Sequence, residues 1–394
     1  MPSPGAFVYV QHLLGIGHLQ RAAVLARALA AQGFEATLAS GGRVPPQMAR
    51  ALAVEGVRLV QLPPASAADL SFKVLHDETG REIDEAWKQR RVAALLDAWR
   101  AASAAARAQL LVLELFPFGR RQMRFELLSL LEAAASAAPR PAIVCSVRDI
   151  LGGLKSPERR EEAIALVERY FDRVLVHGDE SVIPFERTFP EARRIARRIV
   201  HTGYVVAAAP QAQGGAGTDE VIVSAGGGAV GARLLEAAIG AKALGSLRHR
   251  TWRLLAGDNL PQADFERLAA LAAREGGIVL ERARADFKVL LANCALSVSQ
   301  AGYNTLLEAV GARARAVVVP FSGGQETEQA LRARCFAERG LLEVVEEAAL
   351  TPQTLAAAIE RAARRARPAP GAVDLDGARR SAALLAALVE EERE

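Results

Sequence analysis

Short apolar runs, each broken by a glycine turn and followed by a helix-spaced segment, recur along this chain and constrain it to an α/β fold. The clearest instance is residues 295–333. Residues 295–299 form an apolar run of strand type, Ala301-Gly302 breaks it, and from Thr305 onward Leu306, Leu307 and Val310 return at helical spacing. A helix that opens directly after a strand points unpaired backbone N–H groups and the positive end of its dipole beyond the strand's carboxyl edge, where a diphosphate fits. Gly302 permits close approach, Tyr303, Asn304 and Thr305 lie in the opening turn, and Glu308 suits the two hydroxyls of a ribose. A second run, 316–320, delivers residues 321–329, rich in the carboxylates and amides that bind sugar hydroxyls.

The N-terminal half repeats the pattern. Residues 6–11 read as a buried strand, Gly15 and Gly17 as a turn, the following segment as a long helix ending at Gly33, and 35–40 as the next strand. A dinucleotide site is excluded, because Gln20 stands where the third glycine belongs and the second strand ends on Ala39-Ser40 without an acidic residue. Strands follow at 57–62 and 110–115, with a long amphipathic helix over 81–107 between them. Glu114 ends a strand, where side chains of a parallel sheet line a cleft, and Arg120 and Arg121 follow in a glycine-broken loop suited to a phosphate. Phe116, Phe118 and Phe125 there read equally as lipid-facing or inward.

The strand 142–147 delivers Arg148-Asp149 at another carboxyl end, as an acceptor-binding pair or an internal ion pair, and 173–176 ends at His177. A helix over 190–200 is expected to put Arg193, Arg194, Arg197 and Arg198 on one face, solvated or laid on anionic lipid. Residues 207–218, small and glycine-rich, mark the clearest boundary. The expected organisation is an N-terminal domain over 1–206, a linker over 207–218, a C-terminal domain over 219–372, and a final helix over 373–394 that packs back on the first domain. After the linker the pattern restarts with a strand at 220–224 and a turn at Gly226, Gly227 and Gly228; no Gly-Lys-Ser/Thr follows, so this is not an NTPase loop.

At 394 residues the chain suits two domains, and a net charge of +4 is too small for wholesale nucleic-acid binding. Cys145, Cys294 and Cys335 are too far apart for a disulfide framework or a zinc site. The N-terminus has no basic leader and no apolar segment reaches spanning length, so the expected location is the cytoplasm, at the inner face of the membrane if the arginine face docks. Asp374-x-Asp376 has the spacing of a metal-binding pair but precedes a helix after a proline-rich stretch, and reads as a cap; no metal site is expected.

The segments SQAGYNTLLEA (299–309) and VPFSGGQETEQALRA (319–333) resemble the donor half of GT-B glycosyltransferases, in particular the family 28 N-acetylglucosaminyltransferases of the lipid-linked peptidoglycan precursor. The resemblance extends along most of the chain. It implies two Rossmann-like domains facing across a cleft, a nucleotide sugar, UDP-linked, held by the C-terminal one as co-substrate without a further cofactor, and an acceptor held by the N-terminal one. Gly302 and Glu308 match the family's donor turn, while Ala301 replaces its serine. Gln329 matches a donor-contacting glutamine and Gln325 lies in the same loop; Glu328 and Arg332 depart from the pattern, as a different sugar would require. Gly226, Gly227 and Gly228 correspond to the turn that approaches the diphosphate or sugar, and the backbone of 281–285 to the part that pairs with the base. Gly15, Gly17 and His18 match the family's acceptor-side Gly-Gly-His turn, with Ile16 for one glycine. On this reading His18 is the catalytic base of an inverting transfer to a hydroxyl, and Glu114 the next candidate. Two alternatives share the residues: a sugar-nucleotide 2-epimerase using the carboxylates of 323–329, and a non-catalytic nucleotide-sugar-binding protein.

Overall fold

A computed structural model describes residues 3–67, 72–106, 108–152, 156–206, 214–225, 231–322 and 327–391. The chain divides into two compact units: Met1–Val205 together with Asp376–Glu394, and Val206–Leu375. Each is built on a parallel sheet.

In the first unit the elements run β1 (Gly5–Val10), α1 (Gly17–Ala31), β2 (Glu35–Ser40), α2 (Pro46–Leu52), β3 (Val57–Gln61), the short pair β4 (Ser66–Ala67) and β5 (Leu75–His76), α3 (Glu85–Ala106), β6 (Ala108–Glu114), α4 (Arg124–Ala135), β7 (Ala142–Arg148), α5 (Pro157–Tyr170), β8 (Arg173–His177) and β9 (Ile199–His201). The main sheet has the order β3-β2-β1-β6-β7-β8-β9, so the direction of winding reverses between β1 and β6. That reversal opens a crevice at the carboxyl ends of those two strands. The inner strands are buried on both faces, as continuous apolar runs such as 142–147 require. Helix α1 packs Leu19, Ala22, Ala23, Leu25, Ala26 and Leu29 inward. It stops because Gly33, at φ +87°, takes the left-handed conformation, with the Gly33 N–H on the Ala30 carbonyl and the Phe34 N–H on that of Leu29.

The second unit runs β10 (Val221–Ser224), α6 (Ala232–Lys242), β11 (Trp252–Ala256), α7 (Gln262–Glu275), β12 (Ile278–Arg282), α8 (Phe287–Asn293), β13 (Leu296–Gln300), α9 (Tyr303–Gly311), β14 (Ala316–Val319), α10 (Glu328–Glu338), β15 (Glu343–Val344) and α11 (Pro352–Arg364). Its order, β12-β11-β10-β13-β14-β15, reverses between β10 and β13. The last helix, α12 (Gly377–Glu391), belongs to the first unit, where Ala382, Leu385, Leu388 and Val389 join the core beneath α1. Part of the expected linker, 207–213, lies outside the described residues.

One element differs from expectation. Residues Pro190–Arg198 form a 3-10 helix broken at Ile195, not an α-helix, and the chain then enters β9, a strand the sequence reading did not contain. Arg194 pairs with Glu161, and Arg198 donates to the Phe171 and Glu168 carbonyls, so these two side chains are tied down rather than arrayed on one free face. Phe116 and Phe118 point inward, Phe118 edge-on to Phe185 and Phe189. The three cysteines are buried thiols. Among the described residues no helix is long and apolar enough to cross a membrane.

Candidate active site

His18 and Glu114 meet where the first sheet reverses. His18 lies in the first turn of α1, just beyond β1, and Glu114 is the last residue of β6, the neighbouring strand. The imidazole Nδ1 is 2.9 Å from Glu114 Oε1. Among the described residues no hydrogen bond engages Nε2, and the His18 side chain is 16% exposed, so this nitrogen is the one open to a reactant. Arg21, three residues along the helix, donates to the same carboxylate oxygen and lies 3.2 Å from Nδ1. Ser146, opposite Glu114 in the register of β7, donates to Oε2 at 2.7 Å.

The electrostatics divide the pair into a base and an anion. Burial lowers the His18 pKa well below its ordinary 6.5, with Arg120, Arg148 and Arg21 adding to the effect and the Glu114 hydrogen bond opposing it. The positive end of α1 acts in the same direction. Burial would raise the Glu114 carboxyl, but Arg21, His18 and Ser146 outweigh it and hold the pKa well below the usual carboxylate range. A neutral imidazole beside a permanent carboxylate can take up a proton and have the resulting positive charge stabilised in place. The backbone next to the pair is strained: Leu115 has φ +71° and Arg120 φ +60°, each costing about 1–2 kcal/mol for a residue with a Cβ.

Arg120 reaches back to this corner, its Nε donating to the Gln11 carbonyl at 2.7 Å, and burial lowers its pKa to about 10. Arg121 does not join it. It is exposed and faces Glu162 of α5, so the expected pair of phosphate-gripping arginines is reduced to one at the site. Arg148 is half-buried at the end of β7, near enough to act on His18. Asp149 is fully buried and packs against Gly178, where a Cβ would strike it; a group sealed in this way is structural rather than acceptor-binding. Gly15 is exposed with open space around it, and Gly17 is the first residue of α1.

In the second unit α9 starts at the carboxyl end of β13, beside the other reversal. Gly302 is its N-cap, with no side-chain cap and no acidic residue in the first turn. A Cβ on Gly302 would meet nothing within 4 Å, so packing does not demand glycine and the space before the helix is open. Asn304 and Thr305 are half-buried in that turn, Ala301 is buried, and Tyr303 lies beneath the Arg332 guanidinium, 4.9 Å from the ring centre. Glu308 has Oε1 3.5 Å from Lys288 Nζ of α8; burial raises its pKa and Lys288 opposes the rise. Gln329 accepts the Phe321 N–H at 3.2 Å and so anchors the loop after β14, while Glu328 opens α10. Gly226, Gly227, Gly228 and Gln325 lie outside the described residues. Among those described, no group of three or more His, Cys, Asp or Glu side chains is placed to hold a metal ion.

Sequence reasoning missed Arg21, Ser146, Thr202 and Lys288, and saw His177 only as a strand end. Arg21 had a signal in its spacing of three residues from His18 on one helix.

Comparison with known proteins matches residues 226–372 to the glycosyltransferase family 28 C-terminal domain. No curated protein matches the chain. Among solved structures it is similar to the calicheamicin glycosyltransferase CalG4 (18% identity, 100% of this chain and 98% of that one, TM-score 0.60). It is likewise similar to a UDP-glucosyltransferase from Polygonum tinctorium capable of glucosylating indoxyl (15%, 100% and 99%, 0.64). A third likeness is to MurG of Acinetobacter baumannii (15%, 100% and 99%, 0.57). At these identities the likeness is one of fold. Residues 226–372 are thus a family 28 C-terminal domain, and the chain is a glycosyltransferase of GT-B fold.

Proposed function

We propose that the protein moves a hexose or N-acetylhexosamine from a UDP-sugar to an acceptor hydroxyl by a single inverting displacement that needs no metal. The observation that carries this reading is the His18–Glu114 pair, which leaves a neutral imidazole with Nε2 open at the switch point of the first sheet. The acceptor oxygen attacks the anomeric carbon while Nε2 takes its proton; the new C–O bond forms as the bond to the diphosphate oxygen breaks. Glu114 stabilises the imidazolium formed. The departing diphosphate is met by the N-terminal turn of α9, residues Tyr303 to Thr305, and the ribose by Glu308. A UDP-linked donor is supported by the matched C-terminal domain and by a structural neighbour named as a UDP-glucosyltransferase.

The test incubates the protein with UDP-glucose or UDP-GlcNAc and a panel of lipid-linked and small hydroxyl acceptors, following UDP release and the anomeric configuration of the product. Acceptor-dependent UDP release with inversion is expected, and His18→Ala lowers kcat by about 100- to 10,000-fold, the usual worth of a general base. Conversion of UDP-GlcNAc alone to UDP-ManNAc, or binding without turnover with every acceptor, would overturn the reading.

A further inference from the structure

Glu114 is not the end of the polar chain that begins at His18. Ser146 Oγ, which donates to Glu114 Oε2, is 2.8 Å from His177 Nε2, and His177 Nδ1 is 2.9 Å from Thr202 Oγ1. The four residues come from successive neighbours in the sheet: the end of β6, the middle of β7, the end of β8 and the position after β9. All four are at most 2% exposed.

The hydrogens can be assigned by elimination. An ionised carboxylate only accepts, so the Ser146 hydroxyl proton lies on Glu114 Oε2. Ser146 Oγ must then accept from His177, which puts a hydrogen on Nε2. Burial, followed by Arg21, holds His177 neutral, so its Nδ1 carries a lone pair and faces the Thr202 hydroxyl, whose oxygen is also 3.0 Å from the Gly203 carbonyl. The donors of Ser146 and His177 point toward Glu114. The reverse assignment would leave Ser146 Oγ and a charged oxygen 2.7 Å apart with no hydrogen between them. An apolar trio would fill the same space without the cost of desolvating three polar side chains, so a purely packing role does not account for them.

We infer that Ser146, His177 and Thr202 are positioning residues which hold Glu114 ionised and in one orientation, and thereby keep the His18 hydrogen on Nδ1 and the Nε2 lone pair free. Their effect on turnover rests on the sugar transfer proposed above; their hydrogen assignment does not. No proton travels along the chain. Each link polarises the next, and a donor added to a carboxylate strengthens its charged form.

The test has two arms. In ligand-free protein labelled with nitrogen-15 in histidine, the ring nitrogens should report His177 as neutral with its hydrogen on Nε2 from pH 8 to about pH 5.5, and His18 with its hydrogen on Nδ1 at pH 8. His177 protonated on Nδ1, or charged, overturns the inference whatever the enzyme catalyses. In the kinetic arm Ser146→Ala lowers kcat about tenfold, the worth of one charge-assisted hydrogen bond, with the donor KM unchanged. His177→Gln, which keeps a donor near the Nε2 position, retains most of the activity, whereas His177→Leu does not. Equal kcat in the Gln and Leu variants, or unchanged kcat in folded Ser146→Ala, also overturns it. Absence of turnover in the wild type would refute the proposed transfer and leave the tautomer measurement to decide the relay.

Discussion

Arg120 and His177 show how single side chains near the corner govern its response to pH. Burial is the main cause of the lowered His18 pKa and Arg120 is the next, so replacing that guanidinium with a neutral side chain must raise it. In the wild type, kcat/KM should stay flat as pH falls through 6.5, because the folded-state imidazole protonates only below its ordinary value. In Arg120→Gln the acid limb should move to higher pH; a limb that stays put would show that Arg120 does not act on the base. His177 gives a prediction on stability. Its folded pKa is about 3, through burial and then Arg21, against about 6.5 when unfolded. Between those values the unfolded chain binds a proton that the folded one does not, so stability falls as pH falls, by up to about 1.4 kcal/mol per pH unit. Urea midpoints at pH 7.5, 6 and 5 should therefore decline less steeply in His177→Gln than in the wild type.

At the scale of elements, the donor side depends on how α9 begins. Its first turn carries no capping side chain, and Glu308, further along, is drawn toward its charged form among the described residues by Lys288. Glu308→Ala is expected to raise the donor KM or Kd about tenfold or more, as loss of a ligand hydrogen bond to a charged group does, while acceptor binding is unchanged. Isothermal titration with UDP checks it, and an unaltered donor affinity would remove Glu308 from the ribose site. Most elements of both sheets were legible because parallel strands read as short apolar runs and their helices follow glycine turns, as at 295–311 and 5–33. Residues 190–198 were not, because arginines at helical spacing look the same in a 3-10 segment, and the three-residue β9 has too little pattern to announce a strand. The meeting of His18 with Glu114 was hidden for another reason. Both were candidates by position, but a contact across 96 residues depends on which strand lies beside β1, and periodicity carries no strand order. Ser146 was hidden inside an apolar run and His177 stood at the end of one, where a single polar residue reads as incidental.

On the scale of the whole molecule, the chain leaves its first unit at Val205 and returns to it at Asp376, where these two residues form an isolated antiparallel bridge. The second unit is therefore inserted into the first, whose sheet is complete before the insertion but whose core is not. Leu385, Leu388 and Val389 of α12 cover the apolar side of α1, and aliphatic side chains of this kind stabilise by roughly 1.5–3 kcal/mol each when fully buried. Their sum is comparable with the entire stability of an ordinary domain, about 5–15 kcal/mol. The seat is narrow: the Gly377 N–H donates to the Tyr204 carbonyl at 3.1 Å, and a Cβ on Gly377 would run into the Gly203 carbonyl oxygen. Deleting residues 376–394 should thus unfold or severely destabilise the first unit while the second still binds UDP. Gly377→Ala should lower the melting temperature of the first unit by several degrees, since about 1 kcal/mol moves a domain of this size by roughly 2–4 °C. Calorimetry with and without UDP separates the two transitions. A truncated chain whose first unit melts at the wild-type temperature would mean that α12 is an accessory to a core already closed without it.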